Sequence, residues 1–116
     1  MISSVEELIQ HYIESWNKKT PEEFRTAFLQ CWSEIGTYTD PNFALEKGVE
    51  AIANLAVGSL KKSPGRKFEV LTQPEYHHNT GRYTWKVIFS DGTSSKGFDF
   101  FEFDDEYKIT RIVSFF

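Results

Sequence analysis

Two carboxylates and one phenol stand out in this sequence because the local pattern turns each of them inward. Asp99 lies in Ser95-Lys96-Gly97-Phe98-Asp99-Phe100-Phe101-Glu102-Phe103, an aromatic stretch bounded by Asp91-Gly92 and Asp104-Asp105, so it reads as a β-strand. Alternation along a strand puts Asp99 on one face with Phe101 and Phe103. If that face looks into a core, a lone anion there is costly unless it is paired, hydrogen-bonded or protonated. Asp40 precedes Pro41, which holds it in an extended conformation on the same face as Tyr38. Tyr12 falls in the middle of an apolar helical stripe and carries its hydroxyl inward. A dry pocket raises the pKa of one acid, and two nearby carboxylates push their values apart, so that one serves as base and the other as donor. Such a set suits proton abstraction α to a carbonyl, with the enolate oxygen held by hydrogen bonds. Each residue also has a plain structural reading: Asp99 in a polar network with Tyr12, a histidine or Arg82, Tyr12 as core, and Asp40 as the opener of a turn.

The elements that must position these groups follow from periodicity. Ser4-Val5-Glu6-Glu7 has the spacing of a capping box, and Val5, Leu8, Ile9, Tyr12, Ile13 and Trp16 recur at helical intervals up to Asn17-Lys18-Lys19. Thr20-Pro21-Glu22-Glu23 opens a second helix whose inner stripe is Phe24, Ala27, Phe28, Cys31 and Trp32. Gly36 to Pro41 is extended, Phe43 to Glu46 is a short strand, and Gly48 leads into a third helix ended by Ser63-Pro64-Gly65. The period then changes to two. Lys67 to Leu71 and Tyr76-His77-His78 alternate around Gln73-Pro74, and Asn79-Thr80-Gly81 turns the chain. Tyr83, Trp85, Val87 and Phe89 face one way, Ser90-Asp91-Gly92 makes a hairpin turn, and after the Asp99 strand Tyr107 to Phe116 forms the last one. Helices followed by a meander of antiparallel strands predict one α+β domain over residues 1–116. Its three helices pack in the concave face of a curled, mostly antiparallel sheet, a cone with one mouth.

Composition narrows the function classes. Eleven Phe, five Tyr and three Trp favour an aromatic-lined cavity, because large rings around a concave sheet leave gaps that small molecules fill. A formal net charge of −4 gives no positive field for nucleic acid or an anionic membrane, and the basic run Lys61, Lys62, Arg66 and Lys67 reads as a solvated loop. Cys31 is the sole cysteine, so neither an internal disulfide nor a Cys-based zinc site forms; it is expected as a buried, inert thiol. No His or Cys cluster supplies spaced metal ligands, and no cofactor motif is present. The chain has no long apolar run and no leader-like start, so a cytoplasmic protein without a membrane partner is expected.

Tyr12-Ile13-Glu14-Ser15-Trp16-Asn17, Tyr38-Thr39-Asp40-Pro41, Gly48, Pro64-Gly65, Tyr76-His77-His78, Trp85, the Asp99 strand and Lys108-Ile109 to Phe115-Phe116 occur in an order and spacing with a known counterpart. Together they resemble the SnoaL-like and ketosteroid-isomerase-like group of the nuclear transport factor 2-like superfamily over nearly the whole chain. The resemblance to ketosteroid isomerases implies Tyr12 as hydroxyl donor, Asp40 as base and Asp99 as a protonated acid completing the oxyanion hole. The resemblance to SnoaL-type cyclases instead implies Asp99 as the acid/base itself. Tyr38, Trp16, Trp85, Phe101 and His78 are the candidate ligand-lining residues. Adjacent His77 and His78 face opposite sides if extended, so at most one enters the pocket. Two readings remain open. One is a cofactor-independent isomerase, cyclase or lyase acting on a small apolar or carbonyl-containing molecule. The other is a non-catalytic ligand-binding or dimerisation domain of the same fold. A hydrolase or dehydratase pairing His78 with Asp99 is a third, while Arg82-Tyr83-Thr84 lacks the Arg-x-Asp pattern of the superfamily's epoxide hydrolases. A homodimer is expected where the outer sheet face exposes aromatic side chains.

Overall fold

The computed structural model describes residues 1–116, and its helices begin where the sequence places cap residues. The Ser4 hydroxyl accepts a hydrogen bond from the Glu7 amide (3.1 Å) and starts helix α1 (Val5–Ser15), with Glu6 and Glu7 at the positive end of the helix dipole. Thr20 caps α2 (Pro21–Leu29) in the same way through the Glu23 amide (3.1 Å), with Pro21 in the first turn. Helix α3 (Val49–Lys62) follows Gly48, whose φ of 91° would strain any side chain.

Strands β1 (Trp32–Asp40) and β2 (Phe43–Lys47) lie between α2 and α3. After α3 come β3 (Lys67–Val70), β4 (Glu75–His77), β5 (Thr80–Ile88), β6 (Ser94–Phe103) and β7 (Ile109–Phe115). All seven form one sheet in the order β2-β1-β7-β6-β5-β3, with β4 also on β5, and every pair is antiparallel except β1 with β7. Helix α1 packs on β3, α3 on β1 and β2, and α2 against both other helices. The α+β class, with three helices on the inner face of a curled sheet, is the observed fold. No helix is long and apolar enough to cross a membrane.

Three boundaries differ from the sequence expectation. Helix α2 stops at Leu29 and Trp32 opens β1, because the Cys31 carbonyl accepts from the Ile109 amide (2.8 Å) and Trp32 pairs with Ile109 across the parallel seam. Cys31 is buried as expected, but between elements and not on a helical face. The last strand starts at Ile109 and not at Tyr107. The Asp104 carboxylate accepts the amides of Glu106 (2.9 Å) and Lys108 (3.0 Å), holding a turn in which Tyr107 has a φ of 56°. The basic run is not wholly solvated, since Arg66 is buried.

Two details fix the inner face. The Asn17 side-chain amide, just past α1, donates to the Phe68 carbonyl (2.9 Å) and accepts from the Phe68 amide (2.8 Å). It thereby acts as a one-residue strand partner that ties β3 to the helix. Gly97 pairs with Trp85, and a Cβ at position 97 would collide with the indole ring, so the missing side chain is what lets Trp85 lie across β6. On the outer face Phe98 and Phe115 are about half exposed and stack at 4.8 Å between centroids. Replacing Gly97 by Ala is expected to displace the Trp85 indole, destabilising the fold by roughly 1–3 kcal/mol through overpacking. Urea unfolding and the change in tryptophan emission at native conditions measure both effects.

Candidate functional site

Asp99 sits near the middle of β6 with its side chain on the inner face and only 3% exposed. Its neighbours are set by register. Tyr83 of β5 and Ser114 of β7 lie directly opposite it on either side, and Trp85 is two residues along β5 from Tyr83. The Tyr83 hydroxyl donates to Asp99 Oδ2, and Trp85 Nε1 donates to Oδ1 at 2.9 Å. Burial pushes the Asp99 carboxyl from an ordinary value near 3.8 up to about 6. Ser114, Tyr83 and Trp85 hold it from going higher, and the Asp40 charge adds to the rise.

The face around Asp99 lines a cavity of about 790 Å³ that opens to solvent. Tyr12, Trp16, Tyr38, Asp40, Trp85, Asp99 and Ser114 all line it, so the structure gathers Tyr12, Asp40 and Asp99 from α1, β1 and β6 around one space. The rings form a connected wall. Trp16 lies 6.4 Å from Tyr12, 6.1 Å from Tyr38 and 5.8 Å from Phe68, and Phe68 lies 5.7 Å from Trp85. Tyr12 also stacks on Trp32 at 5.7 Å, which fixes its ring from behind.

The three candidate catalytic residues are held differently. No hydrogen bond joins Tyr12 to Asp99. Burial first, and then the Asp99 charge, raise the Tyr12 pKa, so its hydroxyl is a neutral donor at any physiological pH. Asp40 is engaged on both oxygens. Oδ1 accepts the amides of Asn42 (2.7 Å) and Phe43 (2.9 Å), making the β1–β2 turn, and Oδ2 accepts the Tyr38 hydroxyl (2.8 Å). The Tyr38 phenol is pushed up by burial and by Asp40, and stays neutral.

Two of the candidate lining residues fall elsewhere. His78 is exposed in the β4–β5 turn with a φ of 55°, and its Nδ1 lies 2.9 Å from His77 Nδ1. Neither histidine reaches the cavity, because the chain turns at His78 and does not extend through it. His78 therefore does not meet Asp99. Phe101 faces inward but is fully covered in the core beside Tyr83, behind the cavity wall. Arg82 points outward and pairs with Glu75 at 3.2 Å, so it is not a polar partner for Asp99.

Sequence reasoning did not assign Tyr83, Ser114 or Arg66. A signal existed for Tyr83: the hairpin turns about Asp91, and positions eight residues to either side of it are 83 and 99. Ser114 carried no comparable signal, since the β6–β7 pairing contains a register shift between Glu102 and Phe103.

No protein-family model and no curated protein matches the chain. Solved structures do. An isomerase candidate of the SnoaL-like family from Agrobacterium tumefaciens str. C58 is 30% identical with a TM-score of 0.84, the match covering 93% of this chain and 92% of that one. An NTF2-like protein of unknown function from Exiguobacterium sp. 255-15 has 16% identity and a TM-score of 0.71, over 92% of this chain and 95% of its own. A protein with a ketosteroid isomerase-like fold from Catenulispora acidiphila DSM 44928, solved with trimethylamine, has 13% identity and a TM-score of 0.74, over 94% and 84%. These two share the fold. With near-complete mutual coverage at 30% identity to the first, this chain belongs to the SnoaL-like family.

Proposed function

We propose that this protein binds a small carbonyl-containing molecule in its aromatic cavity and moves a proton on it without a cofactor, as an isomerase or cyclase, with Asp99 as the acid/base. The observation that carries this reading is the Asp99 carboxyl, buried against the cavity, anchored from β5, with its pKa at about 6. A base works best when its pKa lies close to the working pH, and here most of the group is ionised at neutrality.

The anchoring also suits a group that must gain and lose a proton. Trp85 Nε1 only donates, so it always holds Oδ1. The Tyr83 hydroxyl donates to the carboxylate, and by rotating it accepts from the protonated acid. In the reaction a C–H bond α to the carbonyl breaks, its proton goes to Asp99, and its electron pair becomes the enolate. The Tyr12 hydroxyl is the donor available to the enolate oxygen. Returning the proton to another carbon gives isomerisation; attack of the enolate carbon on a second carbonyl breaks that C=O π bond and closes a ring, and the alkoxide formed takes the proton back from Asp99. Asp40, saturated by its turn and by Tyr38, acts through its charge by helping to raise Asp99. The name of the Agrobacterium relative supports isomerase-type chemistry.

We infer in addition that two copies pair through the outer sheet face. The Phe98–Phe115 stack is exposed there, flanked by Glu102 and Arg111. A two-fold axis sets the same patch of each copy against the other, so an exposed aromatic stack can bury itself against its own copy.

Solvent-deuterium exchange of α-protons in a panel of cyclic ketones and β-keto esters, followed by NMR, tests the chemistry. The wild type is expected to catalyse exchange with a rate that rises as pH passes through about 6, and Asp99→Asn to lose about 100-fold or more. Ligand binding without exchange in any wild-type sample leaves a binding domain and rejects catalysis. Stability gives an independent check. Folding raises the Asp99 pKa from near 3.8 to about 6, so the stability it contributes is complete only below about 3.8 and is lost as pH rises from there through 6, by roughly 3 kcal/mol in all. Asp99→Asn does not titrate, and urea melts should show it gaining on the wild type by roughly 2 kcal/mol between pH 4 and 7.5. Sedimentation should give a dimer for the wild type and a monomer for Phe98→Glu with Phe115→Glu.

A further inference from the structure

An arginine keeps its charge at any physiological pH, so a buried one ordinarily has carboxylates around it or acceptors for all of its N–H groups. Arg66 has neither. It stands just before β3, is 4% exposed, and lines the same cavity as Asp99. Nε donates to the Ser59 hydroxyl (2.8 Å) and Nη2 to the Ala56 carbonyl (3.3 Å), while Nη1 is buried without a hydrogen-bond partner. Two of the five N–H groups of a guanidinium are thus used, both on neutral oxygens, and three are not. The ion pairs of the chain involve Arg25, Lys67, Arg82 and Arg111, never Arg66. Two neutral hydrogen bonds that tie the start of β3 to α3 do not need a guanidinium; a neutral amide makes them without burying a charge.

The surroundings define an axis. The Arg66 guanidinium lies 4.9 Å from the Phe68 ring centroid, Phe68 meets Trp85 at 5.7 Å, and Trp85 donates to Asp99. A cation and an ionisable acid therefore occupy the two ends of one aromatic wall. Lys62, from the last turn of α3, lines the cavity as well and strengthens the positive end.

We propose that Arg66 is an anion-binding subsite and that the cavity takes a small organic acid, its carboxylate on the Arg66 guanidinium and its apolar body along Phe68 and Trp85. A carboxylate matches the planar fork of the guanidinium and supplies the acceptors that the chain withholds. The Asp99 charge repels a carboxylate, so the acid group is directed to the Arg66 end and the neutral, enolisable end to Asp99. Burial lowers the Arg66 pKa to about 10, with no carboxylate raising it again, and the group stays a cation at neutral pH. This names a substrate class for the reading above and rests on that reading only in taking the same cavity as the ligand site.

The test is calorimetric titration at pH 7.5 with matched pairs, 4-phenylbutanoate against 4-phenylbutanamide and 1-naphthaleneacetate against its amide, with trimethylammonium chloride as a cationic probe. The wild type is expected to bind at least one acid about ten-fold or more tighter than its amide, and Arg66→Gln to bring the two together. Arg66→Lys should recover part of the difference. In wild-type protein the Arg66 Nε–H resonance should shift with the acid and not with the amide, a readout that does not depend on a variant folding. Asp99→Asn is expected to keep the acid preference whatever it does to α-proton exchange, so failure of the chemistry and failure of the subsite are separate results. Equal binding of acid and amide, no binding of either acid, preference for trimethylammonium, or an acid preference that survives Arg66→Gln overturns the proposal.

Discussion

A carboxyl group at the centre of the sheet's inner face is the constraint to which the rest of the site answers. Asp99 is surrounded by aromatic carbon, and it is tolerated there because β5 presents two donors at the matching height. That match depends on the β5–β6 register, since a slip of one residue would turn Tyr83 and Trp85 to the outer face and leave the acid without partners. It depends on Gly97 too, because the indole reaches Asp99 by lying over the position where a side chain would be. Tyr83, Trp85, Gly97 and Asp99 are therefore one structural unit, and the aromatic cavity is built against it.

The two acids of the site show how environment divides the same functional group into different roles. Asp40 is only partly buried and its oxygens are committed to two amides and a phenol, so it behaves as the cap of a turn. Asp99 is buried and held from β5 while its side chain borders the cavity, so protonation and ionisation are both accessible to it near neutrality. Of the two role assignments that the resemblance implies, the proposed chemistry therefore takes the one with Asp99 as acid/base.

Much of the fold was legible because it is written in short-range signals. Ser4 and Thr20 cap the first two helices as their spacing indicates, and alternation alone turns Asp99, Phe101 and Phe103 inward. Tyr12 and Asp40 reach the cavity for the same reason. What was not legible depends on partners distant in the chain. Trp32 continues the apolar stripe of α2 and becomes a strand residue only because β7 pairs beside it. His78 looked like part of a strand, and its left-handed φ is visible only in the folded turn. Arg66 is the sharpest case: four cations around Pro64-Gly65 look alike in sequence, yet the chain turns at Gly65, with φ of 82°, and brings one of them under α3. Composition cannot separate a solvated charge from a buried one.

The cavity that results has opposite electrical character at its two ends and hydrocarbon between them. Neither the Asp99 carboxyl nor the Arg66 guanidinium is neutralised by the other, and each is desolvated. For the folded chain alone this is an unfavourable arrangement, because well-packed apolar residues in both places would be at least as stable. A bound acid of the proposed kind would supply what the chain does not: acceptors for the Arg66 guanidinium and apolar surface along Phe68 and Trp85. By linkage, whatever satisfies both ends binds the folded state and not the unfolded one, so it stabilises the protein in proportion to its affinity.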